Sequence, residues 1–224
     1  MITCYNDFVE ALLNAGLSMA GGSADGIYAI VTWDWQGEPP YDTPVRWFSG
    51  NPDTCPAMWR MRVLEERDDI AHAKLFFKKS GFITKEWYSH FLAVRRGGIT
   101  FEEAYEDGKI SHFAKRIYDA VVTHKRLATE AIKSAAGFSR EDKSGFDRAL
   151  TELQMLMFLT VCGQHKKTSM PSNVFCTTEQ FFGEDVFEQA EKMNIETARA
   201  AIKEQILKLN PAAQEKKITK FIEG

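Results

Sequence analysis

The chain has 224 residues, 44% hydrophobic and 26% charged, with a formal net charge of −3. That size and balance predict a folded globular protein with a substantial core and exclude a disordered chain, while the slightly acidic total argues against a protein that coats nucleic acid. No apolar run approaches the ~18 residues of a membrane span, no basic leader precedes Asp7 and Glu10, and Cys4, Cys55, Cys162 and Cys176 are scattered, so a cytoplasmic, membrane-free location without a disulfide framework is expected.

Asn6 to Ala15 places Phe8, Ala11, Leu12 and Ala15 at helical spacing. Gly16 to Gly26 is rich in Gly, Ser and Ala but lacks the Gly-Lys-Ser/Thr ending of a phosphate loop, and reads as a connector. Ile27 to Trp35 is apolar and β-prone, and predicts a strand. Gln36 to Pro56 is a long loop with five of the seven prolines, which Trp47 and Phe48 can tie down. From Ala57 to Phe77 the seven-residue recurrence of Val63, Ile70 and Phe77 allows one long helix. On it Glu65 and Asp69 share a face, Glu66 lies about 100° away, and Arg60, Arg62 and Arg67 can neutralise them in plain ion pairs. A carboxylate buried among Trp59, Trp87 and Tyr88 would have its pKa raised, as a general base or acid requires. A turn at Lys78 to Gly81 follows. Thr84 then caps a helix that ends at Arg95-Arg96-Gly97-Gly98, and Thr100 with Glu103 forms a capping box.

Residues 109–182 carry the pattern that organises the chain. Ser111 caps a helix with Ala114, Ile117 and Val121 on one face; Thr129 caps a short second helix that Gly137 ends. Ser144 opens a third, lined by Phe146, Leu150, Leu153 and Met157. Phe158 to Cys162 and Val174 to Phe181 predict two strands around a polar loop, and Cys162 and Cys176 can face each other across that hairpin, with plain burial as small residues the simpler expectation. Helix, helix, helix, strand, loop, strand is the order of a winged helix-turn-helix. The third helix of such a unit enters the DNA major groove, and would present Lys143, Ser144, Arg148 and Thr151, with Lys166 and Lys167 of the wing available to phosphates. From Lys109 to Asn173 there are 11 Lys and Arg against 6 Asp and Glu, whereas the remainder has 17 against 25. The basic part of an acidic chain is therefore this one. Residues 183–224 predict helices over Glu184 to Lys192 and Ile195 to Leu209, then a last helix opened by Asn210-Pro211. The five histidines and four cysteines make no metal-ligand spacing, and no dinucleotide fingerprint or nucleophile elbow occurs, so neither metal nor cofactor is expected.

Three stretches carry a resemblance: Trp59-Arg60-Met61-Arg62-Val63-Leu64-Glu65-Glu66-Arg67-Asp68-Asp69-Ile70-Ala71, Phe82-Ile83-Thr84-Lys85-Glu86-Trp87-Tyr88, and Phe146-Asp147-Arg148-Ala149-Leu150-Thr151-Glu152-Leu153-Gln154. Over Trp59 to Phe182 the chain resembles the short bacterial proteins related to the AlkZ/YcaQ DNA glycosylases. The resemblance implies winged-helix architecture and, in the glycosylases, metal-free excision of alkylated or cross-linked bases with a Gln-x-Gln or Gln-x-Asp motif that positions a water. This sequence carries neither motif. The expectation is thus a mostly helical α+β protein with an N-terminal helix-strand region (1–108), a central winged helix-turn-helix (109–182) and a C-terminal helical extension (183–224). The function expected first is a non-catalytic protein of repair or regulation that binds double-stranded DNA. A glycosylase using Glu65, Glu66 or Asp69 is the second reading, and a protein-interaction module without nucleic acid the third.

Overall fold

The computed structural model describes residues 1–165 and 172–224. The chain runs α1 (Tyr5–Ala15), β1 (Leu17–Met19), α2 (Pro56–Glu66), β2 (Ile70–Phe76), β3 (Lys79–Thr84), α3 (Lys85–Arg95), α4 (Phe101–Glu106), α5 (His112–His124), β4 (Leu127–Ala128), α6 (Thr129–Ala135), α7 (Lys143–Met155), β5 (Leu159–His165), β6 (Ser172–Thr177), α8 (Thr178–Phe182), α9 (Asp185–Glu191), α10 (Ile195–Leu209) and α11 (Glu215–Glu223). Among the described residues the strands form one antiparallel sheet in the order β1-β3-β2-β5-β6-β4.

Each face of the sheet carries its own core, because successive strand side chains point to opposite faces. Ile70 and Phe82 join a cluster with Tyr5, Phe8 and Leu12 of α1, Trp59 and Val63 of α2, and Ile30, Val31 and Trp33. Ala71, Ala73, Leu75 and Ile83 face the larger cluster, built from α3, α5, α7, α10 and α11. The stripes expected on α5, α6 and α7 are all buried there: Ile117, Val121, Ile132, Phe146, Leu150 and Leu153. The sheet and this larger cluster both continue across residues 108 and 182.

Several local expectations are corrected. Residues 27–35 form no strand: beyond a single bridge from Ala29 to Met19, the Ile30 N–H donates to the Ser18 hydroxyl at 3.1 Å instead of to a backbone carbonyl. A side chain has taken the acceptor's place, and the ladder stops. The long helix from 57 to 77 ends at Glu66, where Arg67 turns extended. Within 70–76 the residues pair with β3, so the seven-residue recurrence spans a helix and a strand rather than one helix face. The β2–β3 turn sits at Phe77-Lys78, with φ of +51° and +62°, between Phe76 and its partner Lys79. Gly81 lies inside β3 instead, where a Cβ would stand 2.5 Å from the Phe76 ring. The expected last strand divides into β6 and α8, because Thr177 and Gln180 form a capping box. Asp142 rather than Ser144 occupies the N-cap of α7, and Thr129 is the first residue of α6 rather than its cap. Asn210 does not open the last helix; its side-chain amide donates to the Ile27 carbonyl at 2.7 Å, and α11 starts at Glu215. No described helix is long and apolar enough to cross a membrane.

Candidate functional site

Helix α7 divides its surface between packing and exposure. Phe146, Ala149, Leu150 and Leu153 are buried, while Lys143, Ser144, Asp147 and Arg148 are exposed. Thr151 does not join them and corrects the expectation for that residue. It is buried, its hydroxyl donates to the Asp147 carbonyl at 2.8 Å, and Lys74 Nζ approaches that hydroxyl at 3.4 Å. The Gln154 side chain likewise accepts the Lys74 N–H at 3.0 Å, where β2 and β5 have splayed apart after their single pairing at His72 and Val161. One flank of α7 is therefore spent on β2. On the other side of that contact lies a cleft of about 640 Å³ that brings Lys74, Lys78, Lys109 and Arg148 together with Asp147 and Glu152. The three lysines were not singled out from the sequence, because they come from β2, the β2–β3 turn and the segment before α5. Lys166 and Lys167 lie outside the described residues.

The acidic run forms the wall of a second cleft, also about 640 Å³. Glu65, Glu66, Arg67 and Asp68 stand on one side; Lys125, Arg126, Cys162, Cys176 and Gln180 stand on the other. Glu65 and Glu66 also border a third cleft, with Arg60, Arg62 and Gln164. Asp69 departs from expectation. With α2 ended at Glu66 it shares no helix face with Glu65, and Arg67 grips it through both carboxylate oxygens at 2.7 and 2.6 Å. Those hydrogen bonds hold its carboxyl below the usual carboxylate range. Arg62 Nε donates to Glu66 at 2.8 Å, and its guanidinium lies 3.8 Å from the centre of the Tyr5 ring. Burial, reinforced by the Glu66 charge, pushes the Tyr5 hydroxyl up to about 12.

The aromatic enclosure expected for a buried carboxylate does not form. Glu65 and Glu66 are exposed. Trp59 belongs to the smaller core against Phe8, whereas Tyr88 is buried in the larger one near Thr178. Among the described residues no three His, Cys, Asp or Glu side chains gather as a metal site requires.

The family model described as "AlkZ related" matches residues 2–223. The chain belongs to the AlkZ-related family. The match runs well beyond the Trp59 to Phe182 stretch in which the resemblance is legible, and takes in α1, α10 and α11 as well. Membership gives this AlkZ-related protein a DNA-repair context. No curated protein and no solved structure matches the chain.

Proposed function

We propose that residues 112–177 of this AlkZ-related protein act as a winged helix-turn-helix that binds double-stranded DNA, without itself cutting a bond. The observation that carries the reading is the order α5, β4, α6, α7, β5, β6, with β4 and β5 both paired to β6. A short strand between the first two helices that closes the sheet of the hairpin is the architecture in which a third helix reads DNA. The exposed Lys143, Ser144 and Arg148 on α7, with Lys74, Lys78 and Lys109 around the adjoining cleft, supply donors for phosphates and base edges. Lys166 and Lys167 add two more cations by sequence. Thr151 lines the same cleft, with its hydroxyl already bonded to the Asp147 carbonyl.

Fluorescence anisotropy with a labelled duplex tests this. Binding should weaken steeply as salt rises, since each neutralised phosphate releases counterions. Arg148→Ala should weaken it by about 1–3 kcal/mol if Arg148 reads a base. No binding even near 50 mM salt ends the proposal.

One observation favours a catalytic second reading, in which a carboxylate stabilises the cationic sugar or polarises a water during base excision. Glu65 and Glu66 line the acidic cleft opposite Lys125 and Arg126. Asp69, held by Arg67, is the weakest of the three candidates. Duplexes carrying alkylpurines should yield no abasic sites if the first reading is right. Excision that disappears in Glu65→Gln or Glu66→Gln would establish the second, and excision that survives both would remove the carboxylates from it.

A further inference from the structure

We propose that Cys162 and Cys176 form a dithiol that a hydroperoxide oxidises to a disulfide on the wall of the acidic cleft. The pair is brought together by an irregularity in the β5–β6 ladder. Cys176 pairs in register with Thr160, and the register then shifts between Val161 and Gly163, so that Cys162 is the extra residue of a bulge. Bulges re-aim a side chain at the cost of one ladder position. Here both side chains border the cleft although each is buried as a residue.

The third component is Arg126. The turn after α5 puts Lys125 at φ +65°, and the next residue reaches β5. One Arg126 guanidinium nitrogen donates to the Cys162 carbonyl, and both residues line the acidic cleft, so the cation stands beside Cys162. The two cysteines are therefore not equivalent. The contact with Cys176 and the Arg126 charge draw the Cys162 thiol below the usual thiol range, against the penalty of burial. The same contact, with burial, pushes the Cys176 thiol up. With the cation beside it, Cys162 is the sulfur on which the thiolate is favoured, and Cys176 is its resolving partner. Cys4 and Cys55 have no such setting: neither borders the clefts described above.

The chemistry closes without a cofactor. The Cys162 thiolate attacks one peroxide oxygen, the O–O bond breaks, and the departing hydroxide or alkoxide takes up a proton. Cys162 is then a sulfenic acid. The Cys176 sulfur, giving up its proton, attacks the Cys162 sulfur; the S–S bond forms as the S–O bond breaks, and water leaves. Two thiols have lost two electrons to one hydroperoxide. The product has no thiolate at position 162, so Arg126 loses the anion it faces in the cleft.

The test treats the full-length native protein with about one equivalent of hydrogen peroxide, blocks remaining thiols, and maps cysteines by mass spectrometry. The expected product has lost two hydrogens and yields one Cys162–Cys176 cross-linked peptide, reversible by dithiothreitol, while Cys4 and Cys55 remain fully alkylated. Oxidation of the pair should run at least about tenfold faster than that of Cys4 at neutral pH, because Arg126 stands beside Cys162 and favours its thiolate. Cys176→Ser should halt at a sulfenic acid trapped by dimedone on Cys162, and Arg126→Gln should shift the pH of half-maximal rate upward. A cross-link between other cysteines, no cross-link, or oxidation of all four at one rate would overturn the proposal, and these wild-type outcomes stand even if a variant fails to fold.

Discussion

Replacing Arg95 with methionine is expected to destabilise the protein by about 3–5 kcal/mol, measured by chemical denaturation at neutral pH. The guanidinium closes a joint between three parts of the chain. It donates to the Leu75 carbonyl at 2.8 Å, to Met155 at 2.9 Å, to Phe221 at 2.7 Å and to Ile222 at 2.9 Å. Met155 ends α7, and Phe221 and Ile222 lie in the last turn of α11, where helix carbonyls have no partner further along the helix. A cation at the negative ends of two helices gains from both dipoles, so it needs no carboxylate beside it. The residue keeps some exposure as a whole, but the charged head is enclosed near Phe76 and Phe91, and burial lowers its pKa to about 10, leaving it charged at pH 7. Methionine fills much of the volume and satisfies none of the carbonyls. Arg95→Lys should fall between the two, because an ammonium keeps the charge but cannot reach four carbonyls with a planar fork. A loss under about 1 kcal/mol for Arg95→Met would mean that water replaces the guanidinium freely.

Nothing in the sequence announces that joint. An arginine pair before two glycines reads as a helix end, and the partners of Arg95 lie 20, 60, 126 and 127 residues away. What is legible is local and periodic. The buried faces of α1, α5 and α7 follow from apolar spacing, and the caps at Ser111 and Thr100 bond as expected, because each involves residues within one turn. The strand β2 is not legible, since both of its faces are buried and its apolar residues show no alternation against polar ones. That failure displaced Asp69 from the face of Glu65. The candidate clefts show the same division: Arg148 and Glu65 are found by reading helices, whereas Lys74, Lys125, Arg126 and Gln180 reach them only through the order of the strands. The facing cysteines were within reach, because a hairpin fixes which residues lie opposite; the bulge that completes the contact was not.

The protein should lose stability as pH falls below about 6.5, and His72 should account for it. His72 is 4% exposed, lies 4.7 Å from the Phe82 ring, and neither ring nitrogen has a hydrogen-bond partner among the described residues. Burial, with the charge of Arg60 adding to it, lowers its pKa from 6.5 to about 3. The unfolded chain therefore binds a proton near pH 6.5 that the folded chain refuses until about pH 3. Between those values the unfolded state holds more protons, so stability rises with pH and is lost on acidification. From pH 7 to pH 5 the loss assigned to this residue is about 2 kcal/mol, and it approaches about 4–5 kcal/mol near pH 3. The upper part of the window is the informative one, because ordinary carboxylates remain ionised at pH 5 and the other four histidines are exposed or only partly buried. Urea denaturation of the wild type and of His72→Leu at both pH values measures it. Leucine is close to the imidazole in size and has no proton to bind, so the variant should lack the difference. Equal losses in the two proteins would assign the acid sensitivity elsewhere and give His72 a route to water or a partner that its packing against Phe82 denies it.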